Sequence, residues 1–111
     1  MKRVLRFRAV DKNIFDAIKS GKKKIETRAA TVKYKDIKTG DVFVFVCGKS
    51  RFERKVKKVF HSKTVEGLLK KYKIKDIRPD IKTKEKFVKS YEAFAGYSQK
   101  IRRFGIMAFE V

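Results

Sequence analysis

The chain of 111 residues carries 32 lysines and arginines against 12 aspartates and glutamates, a formal net charge of +20. Its length predicts one domain over residues 1–111, and a hydrophobic fraction of 42% with ten phenylalanines suffices for one modest core. No apolar run approaches the roughly 18 residues of a membrane span, and no signal-like segment is present, so we expect a cytoplasmic protein without membrane contact. The single cysteine excludes an internal disulfide and a cysteine-based zinc cluster.

The positive charge is spread along the chain. Residues 1–50 contain 14 basic and five acidic side chains, and residues 51–111 contain 18 and seven. A folded domain with a basic surface attracts polyanions, nucleic acid first, through release of counterions. A lysine-rich proteome or a thermophilic source is the alternative explanation, but thermophilic enrichment usually raises glutamate together with lysine, and glutamate is scarce here.

The first part of the chain predicts a strand, a helix and a second strand. Residues 2–9 alternate in polarity and predict the opening strand. A helix follows from Asp11, as its N-cap, to Ser20, and Gly21 lies where a left-handed C-cap residue is needed. Residues 24–28 alternate charged with apolar or β-branched side chains, which predicts a strand directly after a tight turn.

The remainder predicts a hairpin, two helices and a closing strand. Residues 42–47 are apolar on both faces, and residues 51–61 return as the hairpin partner, with room for a bulge. Thr64 and Thr83 are suited to cap two helices, the second of which ends at Gly96. Residues 100–103 form a basic linker before a buried strand over residues 104–111. The fold class predicted is α+β, a small β-barrel flanked by about three helices.

The pattern Gly21-x-Lys23-x-x-Glu26-x-Arg28 marks the candidate site. A lysine beside other cations can have a lowered pKa and act as a base or nucleophile, and a buried glutamate can act as a general acid or base. An arginine can hold a phosphate with two hydrogen bonds. Strand alternation favours Lys24 on the face of Glu26 and Arg28, and the neighbouring turn leaves room for Lys23 instead. A charge ladder without function is the alternative interpretation.

This pattern resembles the signature of the ASCH (activating-signal-cointegrator homology) domain. Three further landmarks agree: the helix before the glycine, the pair Gly40-Asp41 that opens the next apolar strand, and the closing segment Phe104-Gly105-Ile106. The resemblance covers essentially the whole chain. The chain is similar to small archaeal and bacterial members of the family that consist of this domain alone.

The resemblance implies a PUA-like β-barrel with helices packed around a cleft, and work related to RNA. The family is generally viewed as an RNA-binding module, some members act as ribonucleases, and one bacterial branch is an amidohydrolase that deacetylates acetylated cytidine. In that branch the motif lysine acts with a threonine, at the position that matches Glu26, and with a downstream carboxylate. This chain departs from that pattern at Glu26, and Asp80 is the nearest counterpart of the carboxylate.

We therefore expect an RNA- or nucleotide-binding domain with its cleft at the motif. The partner would be single-stranded or structured RNA or a nucleotide-like ligand. No cofactor or metal is predicted, and the sequence does not identify a protein partner. The alternatives are an enzyme of the same fold, a metal-independent ribonuclease or an amidohydrolase, with Lys23 and Glu26 catalytic, and a coregulator-like protein-interaction module. Aromatic residues among cations can stack bases, and basic residues can contact phosphates. The predicted ligand-binding residues are Gly21, Lys23, Lys24, Glu26, Arg28, Tyr34, Tyr97, Ser98, Arg102 and Arg103.

Overall fold

Six strands and six helices make up the computed structural model, which describes residues 1–111 and confirms the α+β class. The strands are β1 (Lys2–Phe7), β2 (Ile25–Ala29), β3 (Val42–Cys47), β4 (Ser50–Lys55), β5 (Lys58–Ser62) and β6 (Ile106–Glu110). The helices are α1 (Lys12–Ser20), α2 (Val32–Lys35), α3 (Val65–Lys71), α4 (Ile74–Ile77), α5 (Lys84–Glu92) and α6 (Tyr97–Phe104), and a 3₁₀ turn (Ala9–Asp11) precedes α1.

The strands form two sheets of three, with the orders β1-β3-β4 and β2-β6-β5. β1 runs parallel to β3, and all other pairs are antiparallel. Two open sheets thus take the place of one closed barrel. β1 and β2 are each the outer strand of their sheet, and neither is paired with the other. This unpaired edge is where the cleft described below lies.

The last strand, β6, is buried on both faces and joins two core clusters. Met107 and Phe109 belong to the cluster formed with α1, β1 and β3, where the Phe109 ring meets the Phe43 ring edge-on at 5.0 Å. Ile106 and Ala108 belong to the cluster formed with β2, α3, α5 and α6. Successive side chains of a strand point to opposite faces, so one strand serves both clusters.

Local signals place most helix ends where the sequence predicts them. The Thr64 and Thr83 hydroxyls accept hydrogen bonds from the Gly67 and Lys86 backbone N–H groups, at 3.0 and 3.2 Å. Gly21 ends α1 in the left-handed region, with φ of 85°. Asp11 precedes α1 as expected, but its carboxylate accepts from Arg8 Nε at 2.8 Å and does not cap the helix.

The predicted single strand over residues 51–61 is two strands that belong to different sheets. The chain leaves β3 after Lys55, where the Val56 N–H donates to the Asp41 carbonyl at 2.7 Å. The next N–H group, that of Lys57, donates to the Glu110 carbonyl at 2.8 Å, so the hydrogen-bonding partner is now β6. Burial of Val56 in the core fixes this corner. The irregular polarity pattern of residues 51–61 therefore results from this corner, and not from the bulge that the sequence allowed for.

The predicted basic linker over residues 100–103 is wrong, because those residues lie inside α6. Gly96, with φ of 72°, starts this helix, and Ile101 is its buried residue while Arg102 and Arg103 face solvent. Two four-residue helices, α2 and α4, also lie in stretches where no helix is predicted, since one turn is too short to show a period. None of the helices combines the length and apolar character that crossing a membrane requires.

Candidate functional site

A cleft of about 300 Å³ opens between the unpaired edges of the two sheets. Residues 6–8, at the end of β1, line one wall, and residues 26–28 of β2 line the other. The lining also includes the buried lysine of the motif and side chains from the helical half of the chain: Lys23, Arg78, Tyr91, Phe94 and Tyr97. The sequence motif therefore lies in a concave site, at the place where the fold leaves two strands without partners.

Lys23 is buried at the inner end of this cleft, with 3% of its surface exposed. Its ammonium group donates to the carbonyls of Ile25 and Ile77, each at 2.6 Å, and lies 3.4 Å from Glu26 Oε1. These three acceptors match the three N–H groups of a protonated lysine. Burial lowers the pKa of Lys23 from its ordinary value, against the opposing charge of Glu26. In this position Lys23 ties α4 to β2.

Glu26 is buried between two cations, with 5% of its surface exposed. Oε1 accepts from the Thr27 N–H at 3.1 Å, and Oε2 accepts from Arg28 Nη2 at 3.1 Å. Burial acts to raise the pKa of Glu26, but the charges of Lys23 and Arg28 outweigh it and hold this pKa below its ordinary value. Glu26 is thus an anion at neutral pH, with both of its oxygens engaged.

Arg28 lies between two aromatic rings that fix its guanidinium plane. The guanidinium carbon is 5.6 Å from the ring centres of both Phe7 and Tyr34. Burial acts to lower the pKa of Arg28, but the Glu26 carboxylate raises it above its ordinary value. One N–H group donates to Glu26 and one makes a long contact of 3.5 Å with the Tyr34 hydroxyl. Three of the five N–H groups of this side chain have no hydrogen-bond partner within the protein.

Side chains, and not a neighbouring strand, satisfy the outer edge of β2. The Lys23 ammonium donates to the Ile25 carbonyl, Glu26 accepts from the Thr27 N–H, and the Tyr97 hydroxyl accepts from the Ala29 N–H at 2.7 Å. Alternate residues of an antiparallel strand direct their backbone groups to the same edge, so these three contacts cover one continuous edge. Two motif residues therefore have a structural task in addition to any contact with a ligand.

Tyrosine hydroxyls and a threonine hydroxyl form another part of the cleft. The Tyr91 hydroxyl and Thr27 Oγ1 are 2.7 Å apart, and the rings of Tyr91 and Tyr97 are nearly parallel, 13° apart at 6.1 Å. Burial raises the pKa of Tyr97 to about 12. Its hydroxyl is therefore protonated at neutral pH, and because its oxygen accepts from the backbone, its hydrogen is free to donate.

Cations dominate the charge of the cleft. At its mouth the Arg8 guanidinium stacks over the Phe94 ring at 5.0 Å and binds Asp11. Arg78 donates twice to Asp80, at 3.0 and 2.8 Å, and Arg6 has no carboxylate within 4 Å. The lining has five cations and two carboxylates: Arg6, Arg8, Lys23, Arg28 and Arg78 against Asp11 and Glu26. Asp80, the partner of Arg78 just outside the lining, brings the net charge of the cleft to two positive charges.

The structure brings together some of the predicted residues and leaves others outside. Lys23, Glu26, Arg28 and Tyr97 line the cleft, and Tyr34 supports Arg28 from behind. The remaining predicted residues do not line it: Gly21 and Lys24, which border a neighbouring pocket of about 460 Å³, and Ser98, Arg102 and Arg103, which lie on α6. The alternation argument for Lys24 fails because β2 begins only at Ile25.

Several lining residues were not predicted from the sequence. Arg6 and Arg8 alternate with Leu5 and Phe7, so the sequence places them on one face, but it does not show that this face meets β2. Tyr91 is buried in the core, and its hydroxyl is hydrogen-bonded to Thr27. Arg78 lies in a connector without a period. Asp80, the nearest counterpart of the amidohydrolase carboxylate, is not itself a lining residue and pairs with Arg78, which is.

Fold and site together define a class of protein: a small α+β domain in which two three-stranded sheets leave a basic cleft between their unpaired edges. No model of a known protein family matches the chain, and no curated protein matches its sequence. The chain is similar to the crystal structure of hypothetical protein PH0355, with 32% identity and a TM-score of 0.85 over 99% of this chain and 96% of the other.

A second solved structure shows the same fold. The solution NMR structure of protein PF0455 from Pyrococcus furiosus has a TM-score of 0.77 and 28% identity, over 99% of this chain and 94% of the other. The identity and coverage of the first comparison show that the chain belongs to the same family as hypothetical protein PH0355.

Proposed function

We propose that this protein is an ASCH-type domain of the cytoplasm that binds RNA or a nucleotide in the cleft between β1 and β2. The observation that carries the proposal is the excess of two positive charges in a cleft that also presents aromatic rings. Both lining carboxylates are already paired, Asp11 with Arg8 and Glu26 with Lys23 and Arg28. The charge left for a ligand is cationic, and the ligand is therefore an anion.

The size of the cleft limits what enters it. A volume of about 300 Å³ is at the lower end of the roughly 300–1,000 Å³ typical of small-molecule sites. Such a space suits one nucleotide, as a free molecule, at a strand end or turned out of a strand, and not a duplex. The basic exterior then supplies sequence-independent attraction for the rest of a nucleic acid.

Binding is favoured over catalysis by the state of the two candidate catalytic groups. The Lys23 nitrogen is surrounded by two carbonyls and a carboxylate, and neither Glu26 oxygen is free of an internal donor. A base or nucleophile needs a lone pair directed at the substrate. The ribonuclease and amidohydrolase alternatives stay as predictions, which product analysis in the assay below would detect.

The test is a titration of the protein with single-stranded RNA and with acetylated cytidine at two salt concentrations, with products followed by chromatography. We expect binding of RNA that weakens with salt, and no product. Arg6→Gln should weaken binding several-fold, because Arg6 lines the cleft without an acidic partner. The matched control is Arg51→Gln, which removes the same charge from β4, outside the cleft lining. Equal small losses in both variants would contradict the assignment to the cleft.

A further inference from the structure

The inner part of the cleft offers hydrogen-bond donors and no unengaged carboxylate oxygen. Three N–H groups of Arg28 and the hydroxyl hydrogen of Tyr97 have no partner within the protein. Thr27 and Tyr91 share one hydrogen in their mutual bond, so the other hydroxyl hydrogen of the pair is also free. The Glu26 oxygens are each taken by internal donors. This arrangement selects the chemistry of the group that enters.

A phosphate group fits such a surface, since its oxygens accept hydrogen bonds and, when ionised, donate none. A nucleobase edge, which carries N–H donors as well as acceptors, matches this donor-rich surface less closely. The guanidinium of Arg28 also has the planar fork that binds two phosphate oxygens at once, and the rings of Phe7 and Tyr34 hold that plane in place.

The charge and size of the cleft favour a phosphate at the end of a molecule over one inside a strand. A phosphate monoester carries about −1.5 to −2 charges at neutral pH and three outer oxygens. A phosphodiester carries one charge and two such oxygens, and it needs space for a chain on both sides. The net of two positive charges in a cleft of about 300 Å³ matches the monoester better.

We propose that the cleft recognises a terminal phosphate monoester, of an RNA strand or of a free nucleotide, through Arg28, Tyr97 and the Thr27–Tyr91 pair. The adjoining base stacks at the mouth, on the Arg8 guanidinium that lies over the Phe94 ring. This inference rests on the proposed function and adds to it the group that the site reads. The raised pKa of Tyr97, about 12, agrees with its part as a donor.

The experiment compares three RNA oligomers of one sequence, with a 5′-phosphate, a 3′-phosphate or hydroxyl groups at both ends, by fluorescence anisotropy at physiological salt. We expect one phosphorylated form to bind roughly tenfold tighter or more than the hydroxyl form, as a charge-assisted contact to arginine would give. A nucleoside monophosphate should compete with it, and the matching nucleoside should not. Tighter binding of one phosphorylated oligomer identifies an RNA strand as the ligand and shows which end is recognised. Competition by the monophosphate without any difference among the oligomers identifies a free nucleotide.

Two variants connect the preference to the residues named. Arg28→Lys keeps the charge but loses the fork of donors, so the advantage of the phosphorylated form should shrink toward one. Arg51→Gln, on β4 and outside the cleft lining, should affect the three oligomers alike and leave the ratio unchanged. Thermal melting establishes that each variant is folded. If Arg28→Lys does not fold, the comparison of the three oligomers on the unaltered protein still tests the preference for a terminal phosphate.

Two negative results can be told apart. Equal binding of all three oligomers, with salt dependence and without competition by the monophosphate, would overturn the terminal-phosphate inference and leave RNA binding intact. No salt-sensitive binding of any oligomer or nucleotide would overturn the proposed function as well.

Discussion

At the scale of single residues, the motif holds the fold together as well as facing the cleft. Glu26 is the anion between Lys23 and Arg28, and all three lie at the edge that no strand covers. Removing one member of a buried ion pair leaves the other charged and unpaired, which is more costly than the pair is favourable. Mutational loss of function at this motif therefore needs a stability measurement beside it.

Glu26→Gln should lower the free energy of unfolding by about 3–5 kcal/mol, because the buried Lys23 ammonium loses its counterion. Chemical denaturation at low temperature, followed by circular dichroism, measures this change. Glu53→Gln is the matched control, since Glu53 pairs with Lys2 on the exposed surface and should cost about 1 kcal/mol or less. Similar values for the two variants would mean that the buried triad is not a stabilising unit.

The same carboxylate gives stability a dependence on acid pH. The pKa of Glu26 is held below its ordinary value, so its contribution is present above about pH 4 and is lost as the pH falls through the lowered pKa. The melting temperature of the unaltered protein should therefore fall more steeply than that of Glu26→Gln between about pH 5 and about pH 2. This interval brackets the ordinary carboxyl pKa of about 4. Parallel curves for the two proteins would show that Glu26 has the same pKa in the folded and the unfolded state.

At the scale of elements, the sequence predicts what depends on neighbours along the chain. β3 is recognisable from its continuous apolar run, and α3 and α5 from their capping threonines. The corner at Val56 is not predictable in this way, because its partners are backbone groups of Asp41 and Glu110, which are distant in sequence. α6 is hidden because its exposed faces are basic and only one of its residues is fully buried.

The candidate site likewise contains residues that the sequence predicts and residues that it does not. Lys23, Glu26 and Arg28 are predictable because they share one short motif. Arg6 and Arg78 could not be predicted, since they meet the motif only after β1 and the segment beyond α4 have been brought against β2. Convergence of side chains from separate segments is a property of the tertiary fold, and a single sequence carries no local signal for it.

Thr83→Ala should cost about 1 kcal/mol of stability, because the first turn of α5 loses the acceptor for the Lys86 N–H group. This helix carries Tyr91 to the cleft, so fraying would also weaken ligand binding slightly. The control is Thr39→Ala, at an exposed turn position without a side-chain hydrogen bond. Thermal melting of the two variants provides the comparison, and an unchanged melting temperature for Thr83→Ala would count against the cap.

At the scale of the whole molecule, charge on the surface and charge in the cleft have separable effects. Lys70 and Lys86 are exposed on α3 and α5, outside the cleft lining. Replacing both with glutamine should weaken RNA binding and make the salt dependence shallower, with at most about 0.7 lost from the slope for each phosphate contact removed. Titrations at several salt concentrations measure this slope. A change in the preference among oligomer ends would show that the two lysines belong to the site.

The burial of β6 on both faces has a consequence for how the molecule opens. Neither core cluster is complete without this strand, since each takes two of its side chains from it. A fluctuation that detaches β6 exposes both clusters together. To open one cluster alone, the protein would have to break the contacts of β6 on one face and keep those on the other face. The two sheets are therefore coupled into one cooperative folding unit, and the slowest-exchanging amide protons of both should share a single opening event.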